Sequence, residues 1–131
     1  MLKYFVKSSP PQTKSGFEFK MMHTFEKRKA ESTRLREQYP LQYPIIVEKA
    51  DTIALQTISK KKFLLPGDLT IGQFVYHIRK QIKLEPTQSL FLFIDNSVIP
   101  YTIATIGEIY DKYVDSDGFL YMIYSTQETY G

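Results

Sequence analysis

The stretch from Thr70 to Leu84 constrains this chain most. Ile71, Phe74, Val75, Ile78 and Ile82 fall on one stripe of a 3.6-residue period, while Gln73, Tyr76, Arg79 and Lys80 fall off it. Asp68-Leu69-Thr70 supplies capping chemistry at the start, and Leu84-Glu85-Pro86 ends the pattern. A helix with one face this apolar has to bury it against something. The partners are two runs too short for helices and rich in strand formers, Leu90-Phe91-Leu92-Phe93-Ile94 and Phe119-Leu120-Tyr121-Met122-Ile123-Tyr124. Continuous apolar runs of this kind mark strands buried on both faces. The chain is therefore expected to pack a helix across a sheet.

Two further strands precede the helix. Pro44-Ile45-Ile46-Val47-Glu48 is β-branched and entered through a proline, and Lys60-Lys61-Lys62-Phe63-Leu64-Leu65-Pro66 follows after a connection over residues 51–59. Lysines and a bounding proline blunt an exposed sheet edge, so the second of these strands is expected at one. Asp95-Asn96 makes a turn, residues 103–113 carry a short helical pattern, and Asp115-Ser116-Asp117-Gly118 reads as a solvated turn into the last strand. Upstream, Thr24 caps a helix running to Gln38 whose apolar residues are only Phe25, Ala30 and Leu35; a helix this polar belongs outside the core, as an accessory. A short helical turn is expected around 17–22. Residues 1–16 are acid-free, with Pro10-Pro11 and Ser, Thr and Gly, and read as a flexible arm; residues 17–131 form one domain. The order of strand, strand, helix, strand, short helix, strand, after an accessory helix, is that of an α+β, ubiquitin-like β-grasp with an N-terminal helical extension.

Composition narrows the chemistry. With 131 residues and 43% hydrophobic content the chain can build one core, and no apolar run approaches the ~18 residues of a membrane span. Cysteine is absent, which removes disulfides, thiolate metal sites and a cysteine nucleophile. His23 and His77 are the only histidines, and there is no phosphate loop, nucleophile elbow or His-x-x-x-His pair. Asp115 and Asp117 lack the other ligands of a calcium loop. No catalytic residue, metal or cofactor is implied, and the protein is expected to act by being bound and carried. The net charge of +3 hides an asymmetry. Residues 1–83 hold 16 basic and 7 acidic side chains, a net +9, and residues 84–131 hold 1 and 7, a net −6. That split fits either solvated faces or a basic surface offered to an acidic partner. Nucleic acid is not the expected partner, because the lysines are not interleaved with stacking aromatics. The tail from Ser125 ends on Gly131, whose carboxylate carries no side chain and so suits a narrow enzyme channel and transfer to an amine. Chain ends commonly fray, so this tail takes its meaning only from the residues before it.

Those residues are specific. Phe25-Glu26-Lys27-Arg28-Lys29-Ala30-Glu31-Ser32, Pro44-Ile45-Ile46-Val47-Glu48-Lys49, Lys60-Lys61-Lys62-Phe63-Leu64-Leu65-Pro66, Asp68-Leu69-Thr70-Ile71-Gly72-Gln73-Phe74, Ile78-Arg79-Lys80 and Asp117-Gly118-Phe119-Leu120-Tyr121 closely resemble the autophagy ubiquitin-like modifiers, over residues 17–131. That family comprises the fungal autophagy-related protein eight, the GABA-receptor-associated protein and the microtubule-associated light chain three. The resemblance implies that Gly131 is adenylated by an activating enzyme, passed as a thioester between enzyme cysteines, and joined to phosphatidylethanolamine by a conjugating enzyme. It also implies a cysteine protease that processes or deconjugates the C-terminus, and a protein that is cytoplasmic until lipidation anchors it to autophagosome or vesicle membranes. It implies, too, a groove for cargo receptors and adaptors bearing an aromatic-x-x-aliphatic motif with acidic flanks. By that resemblance Glu31, Leu35, Pro44, Lys62, Leu64 and Phe119 line the aromatic pocket. Phe63, Leu65, Pro66, Leu69 and Phe74 line the aliphatic one, Leu69 and Phe74 serving partly as core, while Lys60 and Lys62 meet the acids. His77 stands where the family usually has an aliphatic residue lining the second pocket, and Gln42 and Gln81 stand where the receptor-associated branch has arginines. The alternative is a non-conjugated adaptor that uses the same groove on trafficking or cytoskeletal partners.

Overall fold

The structure, a computed structural model, describes residues 4–7, 16–50, 58–94 and 98–126, the first four by backbone alone. The helix expected from the apolar stripe runs Ile71–Gln81 (α3) and is capped by Thr70. Thr70 Oγ1 accepts from the Gln73 amide at 3.1 Å, and Gln73 Oε1 accepts from the Thr70 amide at 2.9 Å, a reciprocal box that satisfies two of the helix's orphan donors. Ile71, Phe74 and Ile78 on its inner face are buried, as is Ile82 just after it. Each contributes about 1.5–3 kcal/mol by leaving water.

They bury against a mixed sheet with six strands among the described residues. In chain order its strands are β1 (Tyr4–Lys7), β2 (Gln42–Lys49), β3 (Lys62–Pro66), β4 (Phe91–Ile94), β5 (Val98–Pro100) and β6 (Leu120–Ser125), and their spatial order is β1-β5-β4-β6-β2-β3. β2 and β6 are parallel, Ile45 opposite Leu120, and every other pair is antiparallel. This is the ubiquitin-like α+β arrangement. Pro44 lies inside β2, but before the first residue that meets β6, so its missing amide breaks no ladder on that side.

Alternation along the strands divides the apolar residues between two faces. Ile45, Val47, Phe63, Leu65, Leu92, Ile94, Leu120, Met122 and Tyr124 join α3 and α4 (Ile106–Tyr113) in the main core. On the opposite face Ile46, Phe119 and Tyr121 pack with Phe19 of α1 (Glu18–Met22) and Leu35 of α2 (Phe25–Gln38), and Phe93 packs with Ala50. The double burial expected of the Leu90–Ile94 run is thus seen: Leu92 and Ile94 serve one face and Phe93 the other. α2 is the expected accessory helix, capped by Thr24, with Ser32 its only buried residue.

Two strands were not legible. β5 has three residues, one of them proline, too few to show a period. β1 falls within the segment expected as a flexible arm; Tyr4 pairs with Pro100 and Lys7 with Val98, so Tyr4–Lys7 gains order from a free sheet edge. The remaining arm from 8 to 15, the Asp95-Asn96 turn, most of the 51–59 connection and the tail with Gly131 lie outside the described residues.

Candidate functional site

Among the described residues β3 ends the sheet, and its outer row of amides and carbonyls has no strand neighbour there. The pleat sends its side chains to opposite faces, and this sorts the residues expected to line a groove into two sets. Lys62 and Leu64 point toward α2; Phe63 and Leu65 point into the main core beneath α3.

On the α2 side, Lys62 Nζ pairs with the Glu31 carboxylate, tying the edge strand to the helix. Leu35 packs on the cluster of Phe19, Ile46, Phe119 and Tyr121. Pro44 is buried opposite Leu64 in the β2–β3 register. Phe119 is fully buried, at the floor of this side. Six residues distant in sequence, Glu31, Leu35, Pro44, Lys62, Leu64 and Phe119, are brought to one side of one edge. On the α3 side, Phe63 and Phe74 meet edge to face at 5.2 Å between ring centroids, and Leu69 is half-buried against the same cluster. Phe74 has no exposure, so its part here is core, whereas Leu69 and exposed Pro66 remain at the surface. Lys60 is exposed, with its ammonium 5.1 Å from the Phe63 ring. His77 and Gln81 are exposed on α3, and Gln42 is half-buried with its carbonyl accepting from Arg36 Nη1 at 2.9 Å.

Beside the apolar cluster of Phe19, Ile46, Phe119, Tyr121 and Leu35, polar contacts also hold α1 and α2 on the sheet. Glu48 of β2 caps α1: its Oε1 accepts from the Glu18 amide at 2.8 Å and its Oε2 from the Phe19 amide at 2.9 Å, placing a negative charge at a helix N-terminus. Lys61 joins the same carboxylates, Glu18 and Glu48. Lys20 Nζ donates to Asp115 at 2.7 Å, and Arg28 Nη1 to Asp117 at 2.5 Å. The basic N-terminal part and the acidic C-terminal part of the chain therefore neutralise one another at this seam.

The Asp115–Gly118 turn corrects the sequence reading. It was expected to be solvated, yet Asp117 is fully buried. Its Oδ2 accepts from Arg28 and from the Tyr121 hydroxyl at 2.5 Å, its Oδ1 from the Phe119 amide at 2.9 Å, and its carbonyl from Ser32 Oγ at 2.5 Å. Burial and the Asp117 carboxylate push the Tyr121 phenol well above its ordinary value, so it stays a donor. Sequence reasoning missed Phe19, Glu48 and this network. The visible trace was Arg28 within the quoted family motif, but no local pattern pairs it with a residue 89 positions away.

Among the described residues no group of three His, Asp or Glu could hold a metal, and no helix is long and apolar enough to cross a membrane.

Comparison with known proteins places this arrangement. The sequence profile described as "Autophagy protein Atg8 ubiquitin like" matches residues 27–131. Autophagy-related protein 8 of Mycosarcoma maydis is 54% identical over 113 residues, covering 86% of this chain and 95% of that protein. Its counterpart in Coccidioides immitis is 51% identical over 113 residues, covering 86% and 96%. The crystal structure of Trypanosoma brucei ATG8 superposes with a TM-score of 0.80 at 43% identity, over 89% of this chain and 100% of that one. Plasmodium falciparum Atg8, solved in complex with a Plasmodium falciparum Atg3 peptide, gives 0.78 at 32% identity, over 87% and 99%.

Proposed function

This chain belongs to the Atg8 family of ubiquitin-like autophagy proteins, and from that premise we propose that it is a modifier conjugated through Gly131 to phosphatidylethanolamine. The observation that carries the reading is the extent of the family match, which spans residues 27–131 and so takes in β6 and Gly131. The carboxylate of Gly131 is adenylated by an activating enzyme at the expense of ATP. A cysteine thiolate of that enzyme displaces AMP, a conjugating enzyme takes the acyl group by thioester exchange, and the lipid amine then displaces the second thiolate. The nucleophilic sulfurs belong to the enzymes, in keeping with a chain that has no cysteine. The relative solved with an Atg3 peptide supports a conjugating-enzyme partner. A cysteine protease that trims or releases the C-terminus completes the cycle. The protein itself performs no catalysis.

One acyl chain holds a protein on a membrane only marginally, and phosphatidylethanolamine brings two, each buried methylene adding about 0.8 kcal/mol. The protein is cytoplasmic before conjugation and sits on autophagosome or vesicle membranes after it. There the β3 edge receives cargo receptors and adaptors by strand addition, backbone bonds supplying affinity and the two side-chain sets supplying specificity. The aromatic residue of the motif docks among Glu31, Leu35, Pro44, Lys62, Leu64 and Phe119. The aliphatic residue docks among Phe63, Leu65, Pro66 and Leu69 over Phe74, and acidic flanks meet Lys60 and Lys62.

The test is reconstitution with activating and conjugating enzymes, ATP and liposomes containing phosphatidylethanolamine. A lipidated product is expected from the wild type and none from Gly131→Ala. Equal lipidation of the two would remove Gly131 as the residue required, and lipidation of neither would leave the protein a non-conjugated adaptor.

A further inference from the structure

A buried carboxylate is costly unless it is paired and fully hydrogen-bonded, so the groups spent on Asp117 say where it has to be. It has no exposure to solvent, and four groups converge on its residue: Arg28 Nη1, the Tyr121 hydroxyl, the Phe119 amide and Ser32 Oγ. Two come from α2 and two from the start of β6. The Asp117 amide itself donates to Asp115 Oδ2 at 3.0 Å, fixing the turn that carries it.

These contacts fall on the framework of one half of the proposed groove only. Arg28 and Ser32 lie one turn apart on the face of α2, and Glu31 and Leu35 each follow one of them by three residues, so they share adjacent positions on the helix surface. Fixing Arg28 and Ser32 fixes the height and rotation of Glu31 and Leu35. On the sheet side, the bond to the Phe119 amide fixes the residue at the floor. The aliphatic set is built from β3, α3 and the turn between them, none of which touches Asp117 in this network.

We propose that Asp117 is the positioning residue of the aromatic pocket: by clamping α2 to the first residues of β6 it sets the gap between Leu35 and Phe119, and hence how deep an aromatic side chain can sit. The assignment rests on the peptide reading given above. It requires Asp117 to act on aromatic recognition and leave aliphatic recognition alone, which a general loss of stability would not do.

The chain has no tryptophan, so a tryptophan in the ligand reports on its own surroundings without background. The probe is an acid-flanked synthetic peptide carrying Trp-x-x-Leu, with versions in which Trp or Leu is replaced by Ala, titrated into folded wild type, Asp117→Asn and Ser32→Ala. In Asp117→Asn the factor lost on replacing Trp should shrink about tenfold relative to wild type, the scale of coupling between groups in contact. The factor lost on replacing Leu should hold within about twofold. The emission of the peptide Trp at saturation should move to longer wavelength, as its ring sits in a shallower, wetter site. Ser32→Ala removes one neutral hydrogen bond, remains folded, and should shift the same quantities by a smaller amount, so it decides the matter if Asp117→Asn does not fold. Unchanged Trp factors and emission in the folded variants overturn the proposal. Weakening of the Trp and Leu factors in equal measure overturns it as well, by making Asp117 a stability residue only. A wild type that binds the Trp and Ala peptides equally would instead remove the peptide reading beneath it.

Discussion

Gly118→Ala tests the packing of the turn most directly. Gly118 has φ +90°, a region that costs an L-residue about 1–2 kcal/mol. A Cβ added there would lie 2.1 Å from Ser32 Oγ and 2.8 Å from Ser32 Cβ. Rotating the hydroxyl away does not solve the second contact. Ser32 is only 2% exposed, and its hydroxyl already donates to the Asp117 carbonyl, so α2 must lift from the turn. Overpacking of this kind costs about 1–3 kcal/mol. The two effects together give about 2–5 kcal/mol, against a total stability of roughly 5–15 kcal/mol for a domain. Urea unfolding at 25 °C reads the loss as a lower midpoint with an unchanged slope. Repeating the substitution in a Ser32→Gly background separates the terms. There the clash is gone, and only the backbone cost of about 1–2 kcal/mol should remain. A loss below about 0.5 kcal/mol in the wild-type background, or the same loss in both backgrounds, would refute this account of the turn.

Other expectations follow from the site. Lys62 is half-exposed and paired with Glu31, so Lys62→Glu should leave stability within about 1 kcal/mol. The same change should weaken an acid-flanked motif peptide about tenfold and flatten the salt dependence of its binding; unaltered salt dependence would remove Lys62 from the acidic contact. At Asp115, burial opposes ionisation, but the Lys20 ammonium and the Asp117 amide outweigh it and hold the carboxyl below its ordinary 3.8. Because the folded value is depressed, the stabilisation is complete above 3.8 and is lost as pH falls through the folded value. The stability gap between wild type and Asp115→Asn should therefore be widest near neutral pH and close on acidification. A gap that stays constant down to about pH 2 would show that the carboxylate's charge is not involved.

The elements that were legible in the sequence are those whose cause is local. The α3 stripe, the Thr24 and Thr70 caps and the apolar runs of β4 and β6 each carry their period within about ten residues. The lysines and prolines bounding residues 60–66 announced an edge, and β3 is one. What was not legible depends on residues far apart. Asp117 looks like an ordinary turn acid until Arg28 and Ser32 arrive from α2. Glu48 looks like the outer face of a strand until the first turn of α1 settles on it. β1 has an intelligible reason to be a strand only because β5 leaves an edge open beside it. For the proposed groove, the family resemblance suggested the residues, but their division between two faces and the full burial of Phe74 and Phe119 came from the pleat of β3 and the seating of α2.

The placement of β6 bears on how the protein is made. β6, the last strand among the described residues, lies between β4 and β2 in the middle of the sheet, and its parallel partner β2 is about 75 residues earlier in the chain. Contacts this distant are slow to form, because a long loop must close before they return any stabilisation. On the ribosome every strand that flanks this slot is synthesised before β6, and until β6 arrives their edges are open to mispairing. A product interrupted before Leu120 lacks the centre of its sheet and leaves β4 and β2 each with an unpaired edge. Losing β6 would therefore split the sheet at its middle, whereas losing β3 would only shorten it at one side.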